Sequence, residues 1–329
     1  MAKIIDWDRH IGRRLRLRDL HVFFAVVQTG SLAKAAAQLN VSQPAVSQLI
    51  ADMEHVLNVK LFDRSSRGVI PTTYGRVLLA RGRAAFDELK QGIREIDFLS
   101  DPDSGEIKFG CPEGLAPILP PIIESFSLRH PQIILDIYEE EFATFAGKLR
   151  SRSLDFVLQR LHGPPRAGDP TFDDLDVETL FEDELVIAVG MKNPFSRRRS
   201  VDLSELLDEP WILANPPSWN HVVISEACRS RGLRKPKVVL STFSTHIRAS
   251  MVSSGRFVAT FPKSVARFYA SRFELKILQI NLPQQPWPAA ILTLKNRTMA
   301  PAAHLFLDHV RKTTIALYGR QPRTRQLSK

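Results

Sequence analysis

Amide and hydroxyl side chains cluster at the N-terminal end of one short amphipathic segment. Within seven residues stand Ser42, Gln43, Ser47 and Gln48, and Pro44 lies among them. A glutamine amide can bond adenine through two hydrogen bonds, and an apolar group such as proline can touch a thymine methyl. The same segment carries an apolar stripe at helical spacing, formed by Val46, Leu49, Ile50, Met53 and Leu57. We therefore predict a recognition helix whose first turns read base edges in the major groove of DNA.

A shorter helix is predicted immediately before this recognition helix. Its apolar face also follows helical spacing and consists of Leu32, Ala35, Ala36 and Leu39. Asn40 tolerates the left-handed backbone that ends a helix, and Ser42 can cap the next one. The pair forms a helix-turn-helix, to whose DNA interface we also assign Ser31 and Lys34. The alternative is an ordinary helical hairpin inside a larger core, since periodicity alone fits both.

A short hairpin is predicted after the recognition helix, from Leu61 to Thr72, with Gly68 at its turn. This hairpin makes the unit a winged helix-turn-helix. Arg64 and Arg67 on the wing are assigned to phosphate contacts, which set register and affinity rather than sequence choice. Alternatively, the two arginines belong to a solvated loop.

The distribution of charge along the chain supports a polyanionic partner for the N-terminal end. Residues 1–83 hold 13 Lys and Arg against 6 Asp and Glu, a net charge of +7, whereas residues 101–184 hold 7 against 18, a net charge of −11. The whole chain carries +10 and has a pI near 9.8. Such asymmetry indicates that one end meets DNA while another module does different work.

Length and composition limit the remaining possibilities. A chain of 329 residues is long enough for two or three modules, and 44% hydrophobic content suffices for real cores. No apolar run reaches the length of a membrane span, and the basic extension at 1–16 lacks the apolar centre of a secretory signal. The two cysteines, Cys111 and Cys228, have no metal-ligand spacing. We expect a cytoplasmic protein with no cofactor, no metal and no membrane partner.

A long helix is predicted from Thr73 to Leu99, where no proline occurs. Steps of four and three residues connect a coiled-coil seam of Leu78, Gly82, Ala85, Leu89, Gly92, Ile96 and Leu99. As the arm of a dimer, this helix would place two recognition helices about 34 Å apart, which is one turn of DNA. By pattern alone, the helix can instead pack against a partner inside its own subunit.

From Asp101 the pattern changes to apolar strands that alternate with helical stretches. The segment 101–105 reads as a linker, and nine candidate strands follow between Ile107 and Leu294. This alternation predicts an α/β architecture with helices on both faces of open sheets. Because the region extends to about residue 318, it is long for one sheet, and we expect two lobes. A basic tail follows at 319–329.

The chain resembles the LysR-type transcriptional regulators along nearly its whole length. The resemblance is densest between Leu17 and Gly75, where five motifs follow in order: Leu-Arg-Asp-Leu-His-Val-Phe-Phe-Ala-Val-Val, Gly-Ser-Leu-Ala-Lys-Ala-Ala, Ser-Gln-Pro-Ala-Val-Ser, Leu-Phe-Asp-Arg and Thr-Thr-Tyr-Gly. Beyond residue 100 it is looser and rests on short matches such as His130-Pro131, Phe181-Glu182-Asp183-Glu184-Leu185 and Glu209-Pro210-Trp211.

The resemblance implies a winged helix-turn-helix at 1–72, a linker and dimerisation helix at 73–100, and an effector domain at 105–318 that is similar to periplasmic binding proteins. Lobe one of that domain would cover 105–180 and 289–318, and lobe two would cover 181–288. The resemblance further implies a homodimer or homotetramer that binds and bends promoter DNA and acts on RNA polymerase. Transcription would change when a small-molecule effector enters the cleft between the lobes.

Ligands of open α/β sheets bind at the carboxyl ends of the strands, and the resemblance indicates the same loops. The effector residues predicted in this way are Cys111, Pro112, Glu113, Gly114, Phe142, Thr144, Arg160, Pro217, Ser218, Trp219, Ser241, Thr242 and Phe261. Arg160 is the strongest candidate, because a guanidinium can clasp a carboxylate with two hydrogen bonds. Its alternative role is a weak surface ion pair. The run Glu139, Glu140 and Glu141 is either a solvated edge or suits a polyhydroxylated or cationic effector.

Three other functions have to be weighed against this one. An enzyme is disfavoured, since the nine histidines are scattered and no metal spacing, phosphate loop or nucleophile elbow occurs. A thiol redox sensor would use Cys111, which must be exposed and near positive charge to react, and the neighbouring Glu113 opposes this. A non-specific architectural DNA binder would use the basic end but leave the acidic two-lobed domain without a task.

Overall fold

The structure is a computed structural model of the chain, and it describes residues 15–65, 68–161, 169–216, 218–283 and 287–319. Most of the predicted basic extension and nearly all of the basic tail therefore lie outside the described residues. The chain divides into two units, Met1–Lys90 and Gln91–Lys329. Within the described ranges no single helix has the length and apolar character to cross a membrane, although one bent pair, Leu17–Thr29 with Leu32–Gln38, meets both criteria together.

Three helices form the core of the N-terminal unit: α1 (Leu17–Thr29), α2 (Leu32–Gln38) and α3 (Gln43–Leu57). The Ser31 hydroxyl accepts a hydrogen bond from the Lys34 N–H, and the Ser42 hydroxyl accepts one from the Ala45 N–H, each at 3.4 Å. Asn40, in the turn, has a φ of 53°, which asparagine tolerates better than most residues. The apolar faces meet in one core that includes Phe23, Ala35, Val46, Ile50 and Met53.

The wing consists of strands β1 (Phe62–Ser65) and β2 (Gly68–Pro71), which pair antiparallel. The buried side chain of Glu54 in α3 holds the base of the wing. One carboxylate oxygen accepts from the Leu61 N–H at 2.8 Å, and the other lies 2.6 Å from Lys60 Nζ. Gly68 has a φ of 118°, and a Cβ there would lie 2.8 Å from the Gly30 carbonyl oxygen. The recognition helix and the wing are therefore held together as one unit.

The residues of the predicted seam on helix α4 (Thr73–Ser100) are not all exposed. Gly82 packs against the ring of Phe24, where an added Cβ would lie 2.9 Å from Cζ, and Leu78 packs on the N-terminal core. By contrast, the second half leaves four apolar side chains 51% to 76% exposed, namely Leu89, Ile93, Ile96 and Leu99. Two members of the predicted seam, Leu78 and Gly82, therefore pack within the subunit. Ala85, Leu89, Ile96 and Leu99 stay exposed, so dimerisation through this helix stays a prediction.

The C-terminal unit alternates strands and helices, which confirms the predicted α/β class. In chain order the elements are β3 (Ser104–Gly110), α5 (Leu119–Ser127), β4 (Gln132–Tyr138), α6 (Phe142–Arg150), β5 (Phe156–Arg160), β6 (Leu175–Asp183), β7 (Leu185–Gly190), β8 (Trp211–Leu213), α7 (Trp219–Arg229), β9 (Val238–Ser241), α8 (Thr245–Ser253), β10 (Val258–Pro262), α9 (Lys263–Arg272), β11 (Leu275–Leu278), β12 (Trp287–Leu294) and α10 (Pro301–Tyr318).

The strands form two mixed five-stranded sheets. Sheet one has the order β4-β3-β5-β12-β6, in which β3 is parallel to β4 and β5, and β12 is antiparallel to β5 and β6. Sheet two has the order β11-β7-β10-β8-β9, in which β8 is parallel to β9 and β10, and β7 is antiparallel to β10 and β11. We call sheet one with α5, α6 and α10 lobe one, and sheet two with α7, α8 and α9 lobe two.

Strand β6 is an element that the sequence pattern did not predict. Four of its nine residues are acidic, namely Asp176, Glu178, Glu182 and Asp183, and they obscure the apolar alternation. The strand lies at the edge of sheet one, where charged side chains on the open side are tolerated and discourage pairing with other chains. Its last residue, Asp183, is buried, and only Glu184 separates it from β7 in sheet two.

Candidate functional site

The first turns of α3 present an uncovered polar surface. Gln43, Pro44 and Gln48 are exposed, and Ser47 is partly buried. The apolar stripe of the same helix is turned into the core, with Val46, Ile50 and Met53 each 1% exposed. The alternative of a helical hairpin buried on all sides is therefore excluded for this helix. Its polar head is free to approach a duplex, as a recognition helix requires.

The predicted base-reading residues differ in how free their side chains are. Ser42 is the N-cap of α3, so its hydroxyl is occupied by the Ala45 N–H. Gln48 donates from Nε2 to Asp52 at 2.8 Å, so a two-bond contact with a base would have to replace that bond. The amide of Gln43 has no hydrogen-bond partner in the described part of the chain. Gln43 is therefore the residue best prepared for direct readout.

The remaining residues assigned to DNA lie around this head. Ser31 is the N-cap of α2, and the exposed Lys34 follows in the first turn of that helix. Arg64 lies in strand β1 of the wing. Arg67 falls outside the described residues, so its predicted phosphate contact stays a prediction.

A cavity of about 450 Å³ opens between the two lobes of the C-terminal unit. Its walls come from both lobes: Glu113, Ala116, Pro117, Pro120 and Glu139 from lobe one, and His246, Phe268, Tyr269, Arg272 and Phe273 from lobe two. Aromatic rings and prolines predominate, and a few polar groups converge on the same space. That composition and size are typical of small-molecule sites.

Glu113 connects the two lobes beside this cavity. It lies in the loop after β3, and its Oε1 accepts hydrogen bonds from the Thr245 N–H at 2.6 Å and the Thr245 hydroxyl at 2.8 Å. Thr245 is the first residue of α8, so the carboxylate lies where the helix dipole favours an anion. The hydroxyl of Tyr269 lies 3.3 Å from that of Thr245 and extends the chain of polar contacts. Burial raises the pKa of Tyr269.

Arg160 has a different partner from the one predicted. The residue ends β5 and is 5% exposed, with Nη1 donating to Asp183 at 2.6 Å and Nη2 donating to the Ser264 hydroxyl at 2.9 Å. The ring of Trp287 lies 5.0 Å from the guanidinium. Both terminal nitrogens thus have acceptors within the protein. The exposed carboxylate clasp and the surface ion pair are both replaced by a buried ion pair between β5 and β6 of lobe one. The Ser264 hydroxyl, in α9 of lobe two, is hydrogen-bonded to both members of this pair.

Two further predicted effector residues, Cys111 and Phe261, are core residues with 0% exposure. Phe261 lies in β10, and the guanidinium of Arg248 lies 5.2 Å from its ring. The same guanidinium donates to the Thr260 carbonyl at 2.6 Å and so covers this part of the strand. Burial raises the pKa of the Cys111 thiol. A raised pKa and full burial oppose the exposed thiolate that a redox sensor needs.

The other predicted effector residues do not line the cavity, with Glu113 as the exception among those described. Ser218 caps α7 by accepting from the His221 N–H at 3.3 Å, and the Thr242 hydroxyl accepts from the Ser244 N–H at 3.2 Å. Pro112 and Gly114 lie in the loop after β3, and the rings of Phe142 and Trp219 pack against those of Phe172 and Trp287. Thr144 in α6 and Ser241 in β9 are exposed. Pro217 lies outside the described residues.

Most of the cavity wall comes from residues that the sequence analysis did not single out. Helix α9 supplies Phe268, Tyr269 and Arg272, and Phe273 follows directly. The available signal was three aromatic residues within six positions. The rule of strand ends stops at Lys263, where this helix begins. It missed the wall because these four residues lie in and directly after the helix, five or more positions beyond the end of β10.

Comparisons with known families cover both units. The family described as "Bacterial regulatory helix-turn-helix protein, lysR family" matches residues 17–76. The family described as "LysR substrate binding domain" matches residues 100–314, which is more than half of the chain.

Individual relatives match nearly the full length. The HTH-type transcriptional regulator GbpR of Azospirillum brasilense is 28% identical over 91% of this chain and 86% of its own. The transcriptional dual regulator GltC of Bacillus subtilis is 29% identical over 90% and 96%. Among solved structures, full-length OxyR of Pseudomonas aeruginosa has a TM-score of 0.60 at 20% identity and covers 95% of this chain and 99% of its own. CbnR complexed with its target DNA has a TM-score of 0.50 at 21% identity, with coverages of 91% and 100%.

Replacing Gln43 with Ala should weaken binding to the duplex that the wild-type chain selects from a random pool more than binding to unselected DNA. A lost two-bond contact with a base is worth about 1–3 kcal/mol, or roughly tenfold or more in affinity. Gel-shift titration on both duplexes measures the difference, and Gln28→Ala, an exposed glutamine on α1, serves as the control. Equal losses on the two duplexes would show that Gln43 does not read bases.

Replacing Arg160 with Ala should destabilise the chain by about 3–5 kcal/mol, because it leaves the buried Asp183 carboxylate without its partner. The double variant Arg160→Met with Asp183→Leu removes both charges and should recover most of that loss. Urea unfolding followed by circular dichroism measures both effects. A single variant as stable as the wild type would show that the buried pair does not stabilise the fold.

Proposed function

The chain belongs to the LysR family of transcriptional regulators, and on that premise we propose that α3 reads an operator sequence while the inter-lobe cavity receives the effector. The DNA-binding part of the proposal rests on helix α3. Gln43, Pro44 and Gln48 at its N-terminal end are exposed, whereas its apolar side chains are buried in the core. A helix of this kind fits the major groove with its N-terminal residues on the base edges.

The effector part of the proposal rests on the position of the cavity. Its walls come from two separately built sheets, so a ligand that contacts both favours one arrangement of the lobes over others. Glu113 of lobe one and Thr245 of lobe two already touch beside the cavity. A ligand there would change the strength of this contact. Changes in lobe arrangement are then the means by which the effector alters promoter binding and bending.

We assign the exposed second half of α4 to a second copy of the chain. The four apolar residues Leu89, Ile93, Ile96 and Leu99 are too large and too exposed for an isolated helix surface. A homodimer or homotetramer built through them would carry two recognition helices to two half-sites. In this proposal the protein acts in the cytoplasm, on RNA polymerase at the promoter, and without catalytic turnover.

Selection from a random duplex pool at physiological salt tests the proposal. We expect the full-length chain to enrich one sequence with two related half-sites, and to prefer it over competitor DNA by about a thousandfold or more. Footprinting on the enriched duplex then shows whether both half-sites are covered. Binding without enrichment, equal on all duplexes, would support an architectural role instead.

Switching through a thiol is not part of the proposal, because the two cysteines are buried and burial raises the pKa of both thiols. We expect hydrogen peroxide to leave operator affinity unchanged in the wild type and in Cys111→Ser. Gel shifts before and after peroxide, with mass spectrometry of the thiols, check this, and Cys228→Ser is the matched control. A peroxide response that Cys111→Ser abolishes would restore the redox interpretation.

A further inference from the structure

The two lobes of the C-terminal unit carry opposite net charges. Residues 185–288, which contain all of lobe two, hold 15 Lys and Arg against 6 Asp and Glu, a net charge of +9. Residues 101–184, which contain most of lobe one, carry −11, and the N-terminal residues 1–83 carry +7. A small-molecule cavity does not require such an excess of positive charge on one lobe, whereas a polyanionic partner would.

The register of sheet two defines an end that lies opposite to the junction with lobe one. Strand β7 begins beside that junction, and its other end is level with the first residues of β8, β9 and β10. Lys192 comes two residues after β7, Arg256 two residues before β10, and Lys237 directly before β9. Because neighbouring strands lie about 4.8 Å apart, the three positions form a row about 14 Å long. We call this the far end of sheet two.

Further basic residues lie against the same end. Arg197 and Arg199 belong to the segment that follows β7, and Lys235 belongs to the segment that precedes β9. These two segments are adjacent, since Arg231 of one lies 4.0 Å from Asp202 of the other. The far end therefore carries six basic residues from three loops, namely Lys192, Arg197, Arg199, Lys235, Lys237 and Arg256.

These six cations lack carboxylate partners. All six are exposed, and none forms an ion pair with a residue that the structure describes. Of the six acids in lobe two, four are each paired with another arginine, and these are Asp202, Glu205, Asp208 and Glu226. Glu209 and Glu274 also have no ion pair within the described ranges. The unpaired charge at this end is thus at least six positive against two negative.

A surface of this composition fits the phosphates of DNA better than it fits a protein. Protein interfaces are depleted of lysine and have an apolar centre, whereas interfaces with DNA are polar and strongly positive. A duplex carries one charge per about 1.7 Å of its axis, so a row about 14 Å long faces several phosphates. Met191, Val238 and Val239 are exposed apolar side chains beside this surface, and they leave a protein partner as the alternative.

We propose that the far end of sheet two binds the phosphates of duplex DNA outside the half-sites that α3 reads. This inference rests on the proposed function, because it requires a chain that selects and bends a duplex, and it adds a contact from lobe two. Bending a duplex costs elastic free energy, which additional contacts repay. Phosphate contacts carry no sequence information, so this surface contributes to affinity and not to the choice of sequence.

Gel-shift titration of the full-length chain at several salt concentrations tests the inference on two duplexes. One contains only the selected half-sites, and the other extends them with flanking DNA on both sides. The double variants are Arg197→Gln with Arg199→Gln, and Lys235→Gln with Lys237→Gln. Each should lower the slope of log affinity against log salt by about 1 to 2 on the extended duplex, since one lost phosphate contact accounts for about 0.9. The slope on the short duplex should not change.

The double variant Arg129→Gln with Lys312→Gln is the matched control. It also removes two exposed cations that form no ion pair with a described residue, but both belong to lobe one. We expect it to leave both slopes unchanged. In every variant the preference for selected over unselected flanked duplexes should be that of the wild type, and circular dichroism melting establishes that each variant folds.

A slope on the extended duplex that neither far-end variant lowers, or that the control lowers equally, would overturn the inference. So would equal changes on the two duplexes, because the contacts would then lie within the half-sites. If the far-end variants instead lose self-association in analytical ultracentrifugation without DNA, the surface belongs to a second copy of the chain. Failure of the wild type to select any duplex would refute the proposed function itself, whereas selection with unchanged slopes refutes this inference alone.

Discussion

The buried ion pair between Arg160 and Asp183, with Ser264 bonded to both, is the interaction on which the two-lobed unit depends. Arg160 ends β5 of lobe one, and Asp183 ends β6, after which the chain leaves that lobe. Ser264 lies in the first turn of α9 in lobe two. Two charges withdrawn from water must compensate each other almost completely. Their positions therefore constrain how the two sheets meet where the chain passes from β6 to β7.

Glu113 makes the other polar contact between the lobes that the structure places near the cavity, and its chemistry is different. The Arg160 cluster uses both terminal guanidinium nitrogens, whereas the Glu113 carboxylate leaves one oxygen unsatisfied. Neither group is fully satisfied, because the buried Nε of Arg160 also has no hydrogen-bond partner in the described part of the chain. The two lobes are thus connected by polar contacts of two kinds, one from Ser264 to a buried ion pair and one from Thr245 to a single carboxylate.

The N-terminal unit divides its polar residues between structure and recognition. The hydroxyls of Ser31 and Ser42 are used as helix caps, and the buried carboxylate of Glu54 holds the base of the wing. The amide of Gln43, by contrast, is exposed and has no hydrogen-bond partner among the residues that the structure describes. The same division explains α4, whose first half packs on α1 while its second half leaves apolar side chains exposed.

Local rules were enough to predict the helix-turn-helix, the wing and the α/β class, because caps, turns and apolar periodicity act within a few residues. They failed at β6, whose acidic residues are tolerated by an edge position that no local pattern reveals. They also failed at the cavity. From the sequence, Arg160 was predicted to bind a ligand, but in the structure it bonds Asp183 and Ser264, which are 23 and 104 residues away in the chain. The assembly of distant segments, rather than residue type, determines which polar groups stay free for a ligand.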